Sequence, residues 1–393
     1  MQNFDFVIVG GGLASARAIK SFRASGGEGS IALISKDSTL PYHRPPLSKK
    51  FLRGETDEQP LVEDEGFYTD NGVEVMLETA VSSVDVRERC VDLDGGPVGY
   101  RRLLLATGAW PRQLQVPGAD LENVFTLRTV GNSEAIREAS ARAERAVVVG
   151  AGFIGMEVSA SLREIGKDVS LVHLGRWVFD QLGVEQLSDE LAALYDSKGV
   201  RLVLGNEVEA FHGNGRIEAV TTKNGRRVEA GLAVVGVGVD PVTDFLEGSG
   251  IELDNGIVVN EQFETNVPDV YAVGDVANFF DPLFQRRRRI EHWSNANYQG
   301  TEVGKVLAGA GGGYDTISTF FTEIFGITIR VFGDARRSAP VVVHGSLADG
   351  MYALYGNENE EVVGALSVGQ PEEIEELLKQ QITARAPLSD VAV

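Results

Sequence analysis

Two lysines and one arginine, held among three prolines in PYHRPPLSKK at residues 41–50, are the side chains with the plainest chemical use in this chain. The formal net charge is -21, and a cation fixed in acidic surroundings stabilises an anion that binds or forms beside it. Proline fixes φ and removes a backbone donor, so the stretch is expected to be a stiff loop outside any helix or sheet. Such a loop loses little entropy on ligand binding and would present Arg44 and Lys49 ready placed. Glycines supply a second kind of anion site. Gly10 and Gly12, with Ser15 in the third position, follow FDFVIV, and Gly150, Gly152 and Gly155 follow AVVV. The first two glycines of such a pattern permit a tight turn and let phosphate approach the backbone, where a helix start leaves N–H groups free. Ser15 is small enough for the helix to pack on its strand.

Those loops need elements on both sides. FDFVIV at residues 4–9 reads as a buried strand, ASARAIKSFRA as a helix, and SIALIS as the next strand, followed by Asp37, an acid suited to a ribose hydroxyl. The second copy runs from AVVV at 146–149 through the helix FIGMEVSASLREIG to the strand DVSLVH, which ends at His173. One copy alone is weak evidence, a simple tight turn being the lesser alternative to a phosphate loop. Two complete copies point to two dinucleotides, or to one dinucleotide and a flavin. RRLLLATGAWPR ends a strand at Ala106, Thr107 and Gly108, LAVVGVGVDP ends one at Gly236 and Gly238, and TNVPDVYAVGDVA places Asp275 after Gly274. These pieces fit a first domain interrupted by a second, which the chain leaves near residue 109 and re-enters near 240.

Composition narrows the classes. A chain of 393 residues, 43% hydrophobic, is long enough for two or three cores. Its negative charge opposes nonspecific nucleic-acid binding and anionic membranes, while leaving local basic patches free to select acidic partners. Cys90 is the single cysteine, which excludes an intramolecular disulfide or a cysteine metal cluster; in VDVRERCVDLDG it reads as a structural strand residue. His43, His173, His212, His292 and His344 are scattered, so no metal is expected. With neither a charged leader nor an apolar run of about 18 residues, the expected location is the cytoplasm.

The order GGGLAS, PYHRPPLSK, ATGAWPR, GAGFIGME, GVGVDP, TNVPDVYAVGDVA and RRIEHWSNANYQG resembles the FAD-dependent ferredoxin reductase family. That group includes the reductases of bacterial oxygenase systems, rubredoxin reductases, monodehydroascorbate reductases and apoptosis-inducing factor. The match covers roughly residues 4 to 309, and PYxRPPLSK together with EHW is far more specific than either glycine pattern. The resemblance implies an α/β fold with two Rossmann-like dinucleotide-binding domains of glutathione-reductase-like architecture and a C-terminal α+β domain. An FAD domain would take residues 1–109 and 240–315, an NAD(P) domain 110–239, and an interface domain 316–393. FAD contacts would come from Gly10, Gly12, Leu13, Ala14 and Ser15 at the pyrophosphate, Asp37 at the adenosine ribose, and Arg44, Pro46 and Lys49. Ala106, Thr107, Gly108, Gly274 and Asp275, the last at the ribityl chain, and Glu291, His292 and Trp293 would complete them. Gly150, Gly152, Phe153, Ile154, Gly155, Glu157, His173, Arg176, Gly236 and Gly238 would meet NAD(P). Lys49, Glu157 and Trp293 would stand at the reacting rings.

Three departures bear on function. An NADH-selective site usually ends its second strand with a carboxylate, whereas here His173 is followed by Arg176 and Trp177; Arg176 would suit a 2′-phosphate, or it is a solvated loop residue. Arg286, Arg287, Arg288 and Arg289 in FQRRRRIEHW form the most basic run, either a solvated loop or a patch that steers an acidic iron-sulfur protein, with Arg336 and Arg337 as a possible extension. After 316, GITIRVFGD, PVVVHG, MYALYG and EEVVGALSVG read as an antiparallel sheet followed by the helix PEEIEELLKQQI. The expected activity is transfer of electrons from NADH or NADPH through FAD to a [2Fe-2S] ferredoxin. Reduction of a small acceptor, or a redox-switched interaction protein of the apoptosis-inducing-factor type, are the alternatives.

Overall fold

The computed structural model describes residues 1–337 and 339–389, so Ser338 and residues 390–393 of the expected C-terminal region lie outside the described residues. It has the α/β class and Rossmann-like sheets that the motifs imply, in two compact units.

The first unit comprises Met1–His43, Gln59–Trp110 and Asp240–Thr316. Its parallel strands run in the order Val73–Met76, Ile31–Ile34, Gln2–Val9 and Val98–Leu105, with Val270–Ala272 pairing to the far half of the last. Ile31–Ile34 is buried at all four positions, as expected for a parallel strand covered on both faces. An antiparallel hairpin, Val81–Asp85 and Cys90–Leu93, extends the sheet. Helix Leu13–Ala24 follows the first glycine turn, and helix Trp293–Leu307 crosses it at backbone contact. A Cβ on Gly300 would lie 2.4 Å from the Ala14 carbonyl oxygen and one on Gly304 2.6 Å from that of Ala18, so only glycine permits this approach. The crossing fixes Trp293 relative to the first glycine loop.

The second unit comprises Arg44–Glu58, Pro111–Val239 and the described residues from Ile317 onward. Its parallel sheet has the order Arg201–Val203, Asp168–Val172, Arg145–Val149, Leu232–Val235 and Val124–Thr126. Helix Phe153–Glu164 follows its glycine turn. The C-terminal residues form an antiparallel sheet in the order Thr319–Ile324, Ile327–Gly333, Val362–Val368, Gly350–Gly356 and Val341–Ser346, with helix Glu372–Ala384 packed on it. Its first strand, inside STFFTEIF, is absent from the sequence reading, and the sheet falls in the same compact unit as the five-stranded parallel sheet.

The proline-rich stretch also differs from expectation. Pro45–Ser48 is a turn of 3-10 helix with proline in its first positions, where a missing N–H removes no bond. It is fastened along its length. Ser133 Oγ donates to the Leu47 carbonyl (2.7 Å), Ser161 Oγ to that of Ser48 (2.6 Å), and Arg53 pairs with Glu164 (3.0 Å).

Candidate functional site

In the first unit the glycine turn is closed by geometry that a larger residue would break. Gly10 has φ +115°, and a Cβ there would sit 2.3 Å from the Ala106 carbonyl oxygen. Ser15 does more than stay small, because its hydroxyl donates to the Gly10 carbonyl. Gly12 caps the helix with no side-chain hydrogen bond, leaving the first-turn N–H groups of Leu13, Ala14 and Ser15 facing outward as an anion site. Asp37 accepts from the Tyr42 hydroxyl (2.8 Å), and Thr107 donates to the Val242 carbonyl (2.8 Å). Gln299, fully buried, accepts the Gly274 N–H with Oε1 (2.7 Å) while its Nε2 has no partner. Ser294 Oγ is likewise buried without one. Unfilled donors beside Gly274 and Asp275, together with the open turn at Gly10, fit the phosphates and polyol of FAD. Trp293 stands at the helix start and its Nε1 donates to His43 Nδ1 (2.9 Å). Indole only donates, so Nδ1 must be unprotonated.

The arginine run is not a loop but a strand with one exposed member, Arg287. Arg286–Arg288 is a strand paired with Ala277–Asp281. Arg287 donates to the carbonyls of Val259 and Asn278 (2.8 and 3.1 Å), Arg288 pairs with the buried Asp281 (2.8 Å), and Arg289 bonds the Asp275 carbonyl and Glu291. Asp281 and Glu291 thus offset the charges of Arg288 and Arg289 within the unit, while Arg287 bonds neutral carbonyls and keeps its charge. Arg336 and Arg337 belong to the second unit, where they pair with Asp334 (2.9 Å) and Asp180.

In the second unit a Cβ on Gly150 would lie 2.2 Å from the Gly236 carbonyl oxygen, and one on Gly155 1.8 Å from that of Gly150. Gly152 again caps a helix without a side-chain bond. Gly238, at φ +106°, accepts the Arg112 N–H (2.9 Å). The Ala151 peptide in mid-loop is pinned from both sides, its carbonyl by the Phe179 N–H (2.9 Å) and its N–H by His173 Nδ1 (3.2 Å). His173 was expected at the nucleotide, and this bond ties its ring to the glycine loop. Nδ1 serves the loop, the proton must sit on Nε2, and Nε2 is enclosed without a partner. Arg176 is exposed, its guanidinium 5.3 Å from the Trp177 ring centroid.

Glu157 is the most heavily bonded site residue. It is 5% exposed; Oε1 receives Lys49 Nζ (2.6 Å) and Thr322 Oγ1 (2.7 Å), and Oε2 receives Ser48 Oγ (2.5 Å). Phe153 packs edge-on to Phe320 at 4.8 Å, while Ile154 is exposed. Arg44 and Pro46 lie half-buried at the helical turn that carries Lys49. Sequence reasoning named Lys49 and Glu157 and missed Ser48, Thr322, Gln299 and the His43 partner of Trp293.

Three imidazoles are held below their usual pKa. Burial lowers His43, aided by Arg17, and burial lowers His173. Burial also takes His292 to about 4, with Asp275 opposing the shift and Arg288 adding to it. The sign follows from proton binding: between about pH 6.5 and the depressed value the unfolded chain binds protons that the folded chain refuses, so acid destabilises the fold in that window. Melting temperature should stay level above about pH 6.5 and fall between about 6.5 and 5, above the main carboxylate range. His292→Asn should flatten that fall; an unchanged slope in the variant would remove His292 as its source.

Among the described residues no group of three or more potential ligands is placed to hold a metal, and no helix is long and apolar enough to cross a membrane. Comparison with known proteins accords with this two-loop geometry. The family model for pyridine nucleotide-disulphide oxidoreductases matches residues 4–300. The ferredoxin--NAD(+) reductase subunit of the benzene 1,2-dioxygenase system of Pseudomonas putida is 31% identical, over 93% of this chain and 89% of that one. Monodehydroascorbate reductase of Solanum lycopersicum is 32% identical, over 96% and 94%. The covalent putidaredoxin reductase–putidaredoxin complex contains a chain that superposes with a TM-score of 0.92 at 32% identity, over 98% of this chain and 94% of that one. The chain belongs to the pyridine nucleotide-disulphide oxidoreductase family. It is an oxidoreductase using FAD and a pyridine nucleotide, and with Cys90 as its single cysteine it has no internal redox disulfide.

Proposed function

We propose that this protein carries electrons from NADH or NADPH through FAD to a [2Fe-2S] ferredoxin that serves an oxygenase or a cytochrome P450. Residues 1–109 and 240–315 would hold FAD, 110–239 the nucleotide, and the C-terminal sheet the acceptor face. The observation that carries the reading is the buried Lys49–Glu157 pair, its carboxylate on the helix that follows the second glycine turn, since desolvated charge pairs cluster at functional sites. When bound, FAD supplies hydride acceptance from the nicotinamide and stepwise release of the two electrons. The chain's own residues do the rest. The Gly150 turn and the open helix start take the pyrophosphate, the doubly pinned Ala151 keeps that turn shaped, and Phe153 is braced edge-on by Phe320. Lys49 holds a positive charge beside Glu157, and Ser48 fixes the carboxylate so that both present one arrangement.

A stopped-flow sequence tests this. The purified protein should be yellow, NADH or NADPH should bleach it, and a [2Fe-2S] ferredoxin mixed in next should restore the colour while itself being reduced. A colourless protein, or a bleached one that yields no electrons to any ferredoxin, would overturn the proposal. The pairing of Arg288 and Arg289 with acids inside the unit favours a second reading, reduction of a small acceptor of the monodehydroascorbate or quinone type, which needs no steering charge. Turnover on such acceptors that exceeds ferredoxin turnover and ignores ionic strength would select it.

A further inference from the structure

The strand Thr319–Ile324 carries no motif, yet it supplies a donor to the buried carboxylate of Glu157. We infer that Thr322 is a positioning residue for Glu157, and through Glu157 for Lys49; the inference rests on the reductase reading above.

Period-two alternation sets the geometry. Phe320 and Thr322 point to one face of the strand and Phe321 to the other, where it is exposed. Phe320 meets the ring of Phe153 at the start of the glycine-loop helix, and two residues on Thr322 Oγ1 reaches Glu157 Oε1 at 2.7 Å, one helical turn further along. The strand and the helix are thus registered at two points. Thr322 is 1% exposed and its pairing with Ile329 in the neighbouring strand holds it in place.

Counting lone pairs shows why the hydroxyl matters. An ionised carboxylate offers about four acceptor positions, and Glu157 fills three with Lys49, Thr322 and Ser48. Ser48 alone restrains Oε2, whereas Oε1 is shared between a flexible ammonium and a hydroxyl on a stiff β-branched side chain. Removing the hydroxyl leaves Oε1 tied only to Lys49, whose four-carbon stem adapts to any rotation of the carboxylate. The pair survives as an ion pair but loses its single orientation. A hydrogen bond to a charged group is among the stronger ones, so the effect is measurable and confined to geometry.

Thr322→Val keeps shape and β-branching, and Thr322→Ser keeps the donor. Infrared spectra of flavin-free protein, with the Glu157 carboxylate band assigned by subtraction of Glu157→Gln, should show that band moved in the valine variant and restored in the serine variant. In flavin-loaded protein the valine variant should be reduced about tenfold more slowly at saturating NADH or NADPH, with the nucleotide dissociation constant nearly unchanged, and serine should recover most of the rate. An unmoved band and a full rate in the valine variant would overturn the inference, as would a serine variant as slow as valine. If the wild-type protein is itself not reduced by either nucleotide, the reductase reading fails, and the infrared band alone then decides whether Thr322 positions Glu157.

Discussion

Lys49→Met should lower the rate of flavin reduction by NADH or NADPH by about a hundredfold while leaving bound flavin and secondary structure in place. The size follows from burial. The side chains of Lys49 and Glu157 are 13% and 6% exposed and 2.6 Å apart, and stripping the cation from such a pair leaves a buried carboxylate short of its charge partner, at a cost of about 3–5 kcal/mol. Ser48 and Thr322 still donate, but neutral donors compensate a carboxylate less well than an ammonium does. The carboxylate then draws in water, which spoils the surface against which the nicotinamide would be oriented. The fold should hold because Ser133, Ser161 and Arg53 continue to anchor the Arg44–Glu58 segment. A double variant, Lys49→Met with Glu157→Gln, separates the two consequences: it should recover the lost melting temperature without recovering the rate. A single variant that reduces flavin at the wild-type rate would remove Lys49 from the reaction.

The contrast between what could and could not be foreseen is physical. Both strand–turn–helix units were legible because each is local in sequence, and a glycine turn between an apolar run and a helix has few other uses. Glu157 and Lys49 were legible through their motifs. Thr322 was not, since its bond to Glu157 spans 165 positions and STFFTEIF carries no signal for what its one hydroxyl will meet. The Trp293–His43 bond spans 250 and is equally silent in sequence. The prolines of residues 41–50 misled in an instructive way: they break helices from inside but begin them well, and here they begin a 3-10 turn. Net charge along a sequence does not reveal the partners of an arginine run. Asp281 and Glu291 pair with Arg288 and Arg289, and three backbone carbonyls take further arginine donors, none of which a count of charges shows. His173 was correctly seen as a strand end, but its bond to Ala151 depends on how the glycine loop folds back.

The two glycine turns should fail separately, and differently, when a methyl group is added. Gly10→Ala places a Cβ 2.3 Å from the Ala106 carbonyl oxygen at φ +115°, so both the turn and the strand beyond it must shift. Positive φ in a non-glycine residue and backbone overlap each cost on the order of 1–3 kcal/mol, enough to weaken FAD binding by at least about a hundredfold. The protein should purify nearly colourless. Gly155→Ala acts in the other unit, where its Cβ would fall 1.8 Å from the Gly150 carbonyl oxygen. The helix start must move away from the turn, and the N–H groups that would meet the pyrophosphate move with it. This variant should keep a full complement of flavin, reducible by dithionite at the ordinary rate, yet show a nucleotide dissociation constant raised by at least about a hundredfold. Ser15 shows why the positions are not equivalent. In the first unit the third site already carries a Cβ and ties its hydroxyl to Gly10, so Ser15→Gly should loosen that turn slightly instead of freeing it. Flavin content and nucleotide affinity measured on the two alanine variants decide the assignment: if Gly155→Ala loses flavin while Gly10→Ala retains it, the allocation of FAD to the first loop and NAD(P)H to the second is reversed.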